Sequence, residues 1–293
     1  MKKTERLDKK LAENNEFSRS QIQKMIKGGL VSINGETITT PHFFVSDDDK
    51  IEVKKNNTEK IKTKIPDLNI LFEDDNIIIF EKPSGLMVHE APGKTEPTVV
   101  DALVKHCPKI KKVGDNPTRP GIVHRLDKLA SGVMVAAKNQ DAFEFLKKQF
   151  SDRNVKKEYL VLVYGAPAQD TGTVSFKLAR SKTKGRMVAK PETSEDGREA
   201  ITHYEIIKKL KTTTLLRVHI ETGRTHQIRA HMRALNLPVV GDPLYKKTRM
   251  KNIKPIPLPR LFLHAHKLTL PLPNGETKTF VSPLPNELKE ILK

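Results

Sequence analysis

Two short stretches hold most of the side chains that could do chemistry. Residues 121–132 read GIVHRLDKLASG, which places His124, Arg125, Asp127, Lys128 and Ser131 within eight positions. The apolar run at 132–137 that follows reads as a buried strand. Polar groups beside such a strand must face a cleft or pair with one another. A carboxylate among basic groups has its charged form favoured, which suits a nucleophile or general base better than a general acid. A structural ion pair between Asp127 and a neighbouring arginine explains the same composition, so both readings stand. The second stretch, 221–232, reads ETGRTHQIRAHM. Gly223 permits a tight turn, and a helix from about Thr225 buries Ile228, Met232 and Leu235. That helix sets His226, Arg229 and Arg233 on another face, as anion ligands or as a solvated basic surface.

Several chemistries are disfavoured. The ten histidines include no His-Glu-x-x-His spacing, and Cys107 is the single cysteine, so neither a metal site nor a disulfide is expected. No phosphate-binding Gly-x-x-x-x-Gly-Lys run and no Gly-x-Gly-x-x-Gly occurs, so no nucleotide cofactor is expected. Ser84 lacks the Gly-x-Ser-x-Gly setting of a hydrolase nucleophile.

The elements that must position these groups are mainly strands. Residues 77–80 are four consecutive apolar residues, and 81–85 (EKPSG) read as a tight turn. A helix is expected over 97–105, a loop over 108–120, and a helix capped by Asn139 running to Phe150, with Ala142, Phe145, Leu146 and Phe150 near one face. In the strand 157–164, Tyr159, Val161 and Val163 share one side and Leu160, Leu162 and Tyr164 the other, so both faces are covered. Residues 181–198 read as a basic loop or ragged hairpin, 203–207 and 214–220 as strands, and 269–281 as a terminal hairpin. The fold class is α+β, with a mixed, mostly antiparallel sheet and flanking helices.

The N-terminal segment has a different pattern. Leu7 and Leu11 share a helical face, and a second helix is expected from Ser18, with Gln21 completing a capping box. Ile22, Met25 and Ile26 make its buried stripe, and Gly28 and Gly29 end it. Asn34 and Gly35 signal a hairpin. Residues 1–54 therefore form a small domain, 55–65 a polar linker, and 66–293 a large second domain.

The 293 residues carry a net charge of +18, beyond what solubility requires, and point to a polyanion, nucleic acid first. Residues 1–60 contribute only +2 of it, so the excess lies in the large domain. The basic N-terminus has no apolar stretch behind it, so no secretory signal is expected, and no run approaches the ~20 apolar residues of a membrane span. A reduced, cytoplasmic compartment, no membrane role and a monomer are the expectations.

RLDKKL, SRSQIQKMIKGG and LVSINGE resemble the S4 RNA-binding domain. The resemblance implies that Arg6, Lys9, Arg19, Ser20, Gln23, Lys24 and Lys27 face RNA. HRLDKLASGVMVAAK and GRTHQIRAHM resemble the RluA family of RNA pseudouridine synthases, with KEY at 157–159, VGD at 240–242 and RLFLHA at 260–265 in the expected order. This resemblance covers nearly the whole chain after Pro66. It implies an α+β catalytic domain that isomerises uridine to pseudouridine without cofactor or metal. Asp127 is then the catalytic aspartate, breaking the C1′–N1 bond through a glycal intermediate or through attack on the base at C6. Tyr159 stacks on the flipped base and is the candidate to take its C5 proton. Arg229 pairs with the aspartate. Arg125 and Leu126 help flip or replace the base, Arg224 and His226 line the pocket, and Leu263 is an apolar position beside it. Leu129 and Ala130 depart from the family, which more often has an acidic residue and a threonine there. An S4-like domain in front implies 23S ribosomal RNA or a large-subunit precursor particle as partner. Transfer RNA as substrate, and an RNA-binding or ribosome-assembly protein without activity, are the alternatives.

Overall fold

The computed structural model describes residues 4–13, 19–53, 65–90, 96–181, 185–245 and 254–293. The chain divides into two units, Met1–Thr63 and Lys64–Lys293. The expected helix cap at Ser18 and all of the 55–65 linker except Ile65 lie outside the described residues.

The first unit runs β1 (Glu5–Arg6), α1 (Leu7–Glu13), α2 (Arg19–Lys27), β2 (Val31–Ile33), β3 (Glu36–Ile38), β4 (Phe44–Val45) and β5 (Ile51–Val53). Leu7 and Leu11 meet Ile22 and Ile26 at the helical spacing, and Val31, Ile33 and Val45 close the core beneath them. Asn34 and Gly35 both take positive φ, 51° and 89°, the geometry of the tight turn between β2 and β3. The two-residue ribbon of β1 with β4 has too short a pattern to be read from sequence.

The second unit contains β6 (Asn69–Glu73), β7 (Ile77–Lys82), α3 (Val99–His106), β8 (Ser131–Ala137), α4 (Gln140–Ser151), β9 (Lys156–Tyr164), β10 (Thr171–Ser175), β11 (Lys177–Arg180), β12 (Met187–Lys190), β13 (Ile201–Lys209), β14 (Thr213–Ile220), α5 (Gln227–Ala234), β15 (Leu263–Pro271), β16 (Thr277–Val281) and α6 (Asn286–Glu290). Nine strands form one sheet in the order β10-β13-β14-β9-β15-β8-β7-β6, with β16 on β15. Among the described residues, β15 with β8 is the one parallel pair of strands, besides an isolated parallel bridge of Met87 with Thr98. Gly132 sits at that crossing with φ 122°, and a Cβ there would collide with the Ala265 carbonyl oxygen.

The alternation expected in β9 holds. Tyr159, Val161 and Val163 join the main core, while Leu162 and Tyr164 face a second cluster with Phe262 and Leu288 of α6. Asn139 caps α4 by accepting from the Ala142 amide at 2.9 Å. The buried face of that helix is Ala142, Phe143 and Leu146; Phe145 and Phe150 are half-buried, so the stripe is rotated from the expected one. The basic segment after 180 belongs to a hairpin that starts earlier, β11 with β12. Among the described residues no helix is long and apolar enough to cross a membrane.

Two fully buried histidines tie loops to this sheet. His231 accepts at Nδ1 from the Thr202 hydroxyl (3.0 Å) and donates from Nε2 to the Phe176 carbonyl (3.3 Å). His264 accepts from Ser131 Oγ (2.9 Å) and donates to the Ser282 carbonyl (3.0 Å). These partners use the neutral ring, and burial pushes both pKa values down to about 4. An unfolded histidine takes up its proton near 6.5, so stability is full above that pH and is lost as the pH falls toward 4. In urea denaturation at pH 7 and pH 4.5, His231→Gln is expected to lose roughly 2–3 kcal/mol less on acidification than the natural chain. Equal losses in the two proteins would mean that His231 does not titrate in this window.

Candidate active site

The loop at 121–130 and the start of α5 converge on one cleft of about 540 Å³. Asp127, Tyr159 and Arg229 all line it, as do Arg125, Leu126, Arg224, His226 and Leu263. The structure therefore brings together every residue the sequence proposed for the catalytic centre. Asp127 remains 16% exposed, whereas Arg229 is 5% exposed and Asp242 fully buried.

Arg229 joins the two carboxylates. Its Nη1 donates to Asp127 Oδ2 at 2.9 Å. Its Nε and Nη2 form a fork on Asp242, at 2.7 and 2.9 Å. The amides of Leu244 and Tyr245 also donate to Asp242 Oδ1, at 2.8 and 3.0 Å. Burial alone would lower the pKa of Arg229, but the two carboxylates overcome it and raise the value above the ordinary one. Tyr245 lies under the guanidinium with its ring centroid 5.0 Å away. Gly241, next to Asp242, packs directly on the Arg260 backbone, where a Cβ would collide with the carbonyl oxygen. Sequence reasoning noted the 240–242 stretch but missed the role of Asp242, and missed Tyr245 altogether.

The Asp127 loop is held through its backbone. Lys82, at the buried end of β7, donates from Nζ to the carbonyls of Pro83 (2.8 Å), Leu86 (2.8 Å) and Lys128 (3.1 Å). The Gly85 amide donates to the same Lys128 carbonyl at 2.8 Å. Ser84 Oγ donates to the Leu129 carbonyl at 2.7 Å, and the Ala130 amide to the Asp127 carbonyl at 3.1 Å. Leu129 and Ala130 thus need no polar side chains, because their main chain carries the attachments. Burial pulls the Lys82 pKa down to about 7, while three carbonyls favour the ammonium, which alone has three N–H donors. The signal in sequence was a lysine two positions past the buried apolar run at 77–80.

Not every group in the two stretches faces the cleft as a reactive one. His124 accepts the Val135 amide at Nε2 (3.1 Å) and stacks on Phe150 with centroids 4.6 Å apart. Burial pushes its pKa down to about 3, so it is a neutral structural ring. Ser131 turns away, accepting from Arg260 Nη2 and donating to His264. His226 is not on the helix face expected for it. It precedes α5 in the left-handed region, φ 54°, and Arg233 is absent from the cleft lining. Gln227 anchors this turn: its Oε1 accepts from Thr222 Oγ1 (2.7 Å) and the Arg224 amide (3.1 Å), and its Nε2 donates to the Ile201 carbonyl (2.9 Å).

The hydrogen bonds around Tyr245 set the tautomer of His226. The phenol donates to the Met187 carbonyl (3.1 Å) and accepts from the Met187 amide (2.9 Å). Its single proton being spent, His226 Nδ1, 3.1 Å away, must donate to it. A neutral His226 therefore turns a bare Nε2 toward Asp127 Oδ1, 4.0 Å off. Burial lowers the pKa of His226, with Asp127 opposing. Burial and the charge of Asp127 together push the Tyr159 phenol well above its ordinary range, so it is neutral. Arg119, Arg153 and Lys157 add positive charge to the cleft wall, and His89 contributes a buried Nδ1 that has no hydrogen-bond partner among the described residues. Among the described residues no three His, Cys, Asp or Glu side chains are grouped to hold a metal ion.

In the first unit, three of the residues expected to face RNA, Arg6, Arg19 and Gln23, surround Asp8, which has no exposed side-chain surface. Arg6 donates to both its oxygens (3.1 and 3.0 Å), and Arg19 Nε (3.2 Å) and Gln23 Nε2 (2.6 Å) to Oδ2. Burial would raise the Asp8 pKa, but these donors hold it well below the carboxylate range. Lys9 and Lys27 are exposed; the side chains of Ser20 and Lys24 are outside the described set. Asp8 was not singled out from sequence.

The RNA pseudouridylate synthase family matches residues 76–234 of this chain, and the S4 domain matches residues 5–51. The chain belongs to the RNA pseudouridylate synthase family. An RNA pseudouridine synthase of Synechocystis is 38% identical over 292 residues, covering 98% of this chain and 88% of the relative. A protein of Nitrosomonas europaea named ribosomal large subunit pseudouridine synthase D is 37% identical, covering 98% of this chain and 83% of its own length. Human RNA pseudouridylate synthase domain containing 4 superposes with a TM-score of 0.61 at 25% identity, covering 76% of this chain and 91% of that one. In this synthase the matched segment contains Asp127, Tyr159 and Arg229. Lys82→Met in the synthase is expected to strand the Pro83 and Leu86 carbonyls, to leave that of Lys128 with the Gly85 amide alone, and to lower stability by about 2–3 kcal/mol in urea denaturation. An unchanged midpoint would show that Lys82 does not hold the loop.

Proposed function

We propose that the synthase isomerises uridines of large-subunit ribosomal RNA and that Asp127 acts on the flipped-out nucleotide. The observation that carries the reading is the asymmetric use of Asp127, which lines the cleft: Arg229 occupies Oδ2, and Oδ1 has only His226 Nε2 near it, 4.0 Å away, among the described residues. An aspartate so held keeps one direction and one oxygen for the substrate. It breaks the C1′–N1 bond, by way of a glycal or an adduct at C6. The base turns, rejoins C1′ through C5, and the C5 hydrogen leaves. The reaction is an isomerisation and consumes no co-substrate. Relatives named for the large ribosomal subunit, at 37% and 36% identity, support the choice of RNA.

Opening a stacked base costs a few kcal/mol. The neutral ring of Tyr159 returns roughly 1–3 kcal/mol by stacking. Leu126 and Leu263 are buried cleft residues that shape an apolar slot, and Arg125 is exposed at its mouth to fill the vacated place. Arg224 and Arg153 offer charge to the flanking phosphates. We assign residues 1–54 as the S4-like RNA-binding domain, 55–65 as the linker and 66–293 as the catalytic domain.

Release of tritium from ribosomal RNA labelled at uridine C5 tests the reading. The natural enzyme is expected to release it, and Asp127→Asn to release none while binding the RNA within about twofold. Full turnover by that variant would overturn the role of Asp127, and release from transfer RNA alone would overturn the ribosomal assignment. Asp242→Asn is expected to lower kcat about 100-fold with KM little changed, since it loosens the fork that aims Arg229. An unaltered kcat would count against that alignment.

A further inference from the structure

Among the described residues, four large apolar side chains are exposed, and two of them, Phe43 and Phe44, are adjacent in the small first unit. Phe44 is 63% exposed, while its neighbour Val45 is 1% exposed. β4 therefore turns one side chain into the core and presents the other outward. In the β1–β4 ribbon Arg6 lies directly opposite Phe44. Opposed residues of an antiparallel pair stand on the same face, so the ring and the arginine are side by side.

Both are fastened. The Leu7 amide donates to the Phe43 carbonyl at 2.8 Å and the Asp8 amide to the Pro41 carbonyl at 3.1 Å. Arg6 grips Asp8 with Nε and Nη2, Arg19 shares that carboxylate, and His42 contacts Arg6. Two guanidinium groups on one buried carboxylate leave a positive charge beside the ring. An exposed aromatic face next to anchored positive charge is complementary to a nucleobase with its phosphates.

We infer that Phe44 is a stacking site for an unpaired RNA base, with Arg6 and Arg19 facing the adjoining phosphates and Phe43, 41% exposed, widening the apolar surface. The inference rests on the reading of the first unit as RNA-binding and adds a preference for single-stranded RNA. Bases stacked inside a duplex offer no free face to such a ring.

The chain contains no tryptophan, so Phe44→Trp in the full-length protein creates a single local fluorophore. A 12-nucleotide oligouridylate is expected to quench it, and a duplex RNA of equal length to leave it unchanged. Phe44→Ala is expected to weaken oligouridylate binding about tenfold. Its salt dependence should match the natural chain, because no phosphate contact is removed. Phe44→Tyr should keep the affinity. Equal quenching by duplex, unchanged affinity in Phe44→Ala, or an equal loss in Phe44→Tyr would each overturn the stacking site. Lys9→Gln separates this from the underlying reading: it should weaken both RNAs modestly and lower the salt slope. If Lys9→Gln and Phe44→Ala are both without effect, the first unit is not an RNA contact and both ideas fall. If only Phe44→Ala is without effect, the stacking site alone falls.

Discussion

A single buried guanidinium organises the catalytic unit. Arg229 is removed from water, a costly position for any charge unless it is fully paired. Its planar donors are shared between Asp242, which takes a two-bond fork, and Asp127, which takes one bond. The division matters chemically. Asp242 is satisfied four times over, by the fork and two backbone amides, and serves as a fixed post. The Asp127 side chain, which lines the cleft, is held by one bond, at Oδ2. A lysine could not do this, because a point charge has no fork with which to fix direction.

The second constraint is on the main chain of the loop that carries Asp127. Its carbonyls are tied to Lys82, Ser84 and Gly85 at the turn after β7. Since the ties are to backbone, the side chains at 129 and 130 are free to be apolar. The loop leads into β8, whose second residue is Gly132, where the parallel pairing with β15 brings two backbones too close for a side chain. Placement of the Asp127 carboxylate thus depends on a sheet crossing, a buried lysine and a glycine, and neither Lys82 nor Gly132 lines the cleft.

The first unit inverts the arrangement. There a buried carboxylate, Asp8, collects two arginines and a glutamine. In the catalytic unit a buried arginine collects two carboxylates. One device fixes positive groups on an exposed surface, as a polyanion would require; the other fixes a negative group inside a cleft. In both, the buried partner spends its hydrogen-bonding capacity on orientation rather than on contact with RNA.

The α+β class, the alternation of β9, the Asn139 cap, the Asn34 and Gly35 turn and the two reactive stretches could all be read from the residues, because each is a local pattern of period, cap or turn. Asp127, Tyr159 and Arg229 were legible as candidates for the same reason, with family resemblance supplying their roles. Their meeting was not. Arg229 and Asp127 are 102 positions apart, and Lys82 and the Lys128 carbonyl 46. The partners of such groups are chosen by sheet order and loop closure, which no short window contains. The rotated face of α4 and the left-handed His226 escaped for a related reason: packing against the sheet selected among helical registers and turn geometries that local propensity leaves nearly equal in energy. Which side chains could do the chemistry was therefore a property of the sequence; which of them face one another, and which oxygen of Asp127 Arg229 takes, was settled only when distant strands closed into one sheet.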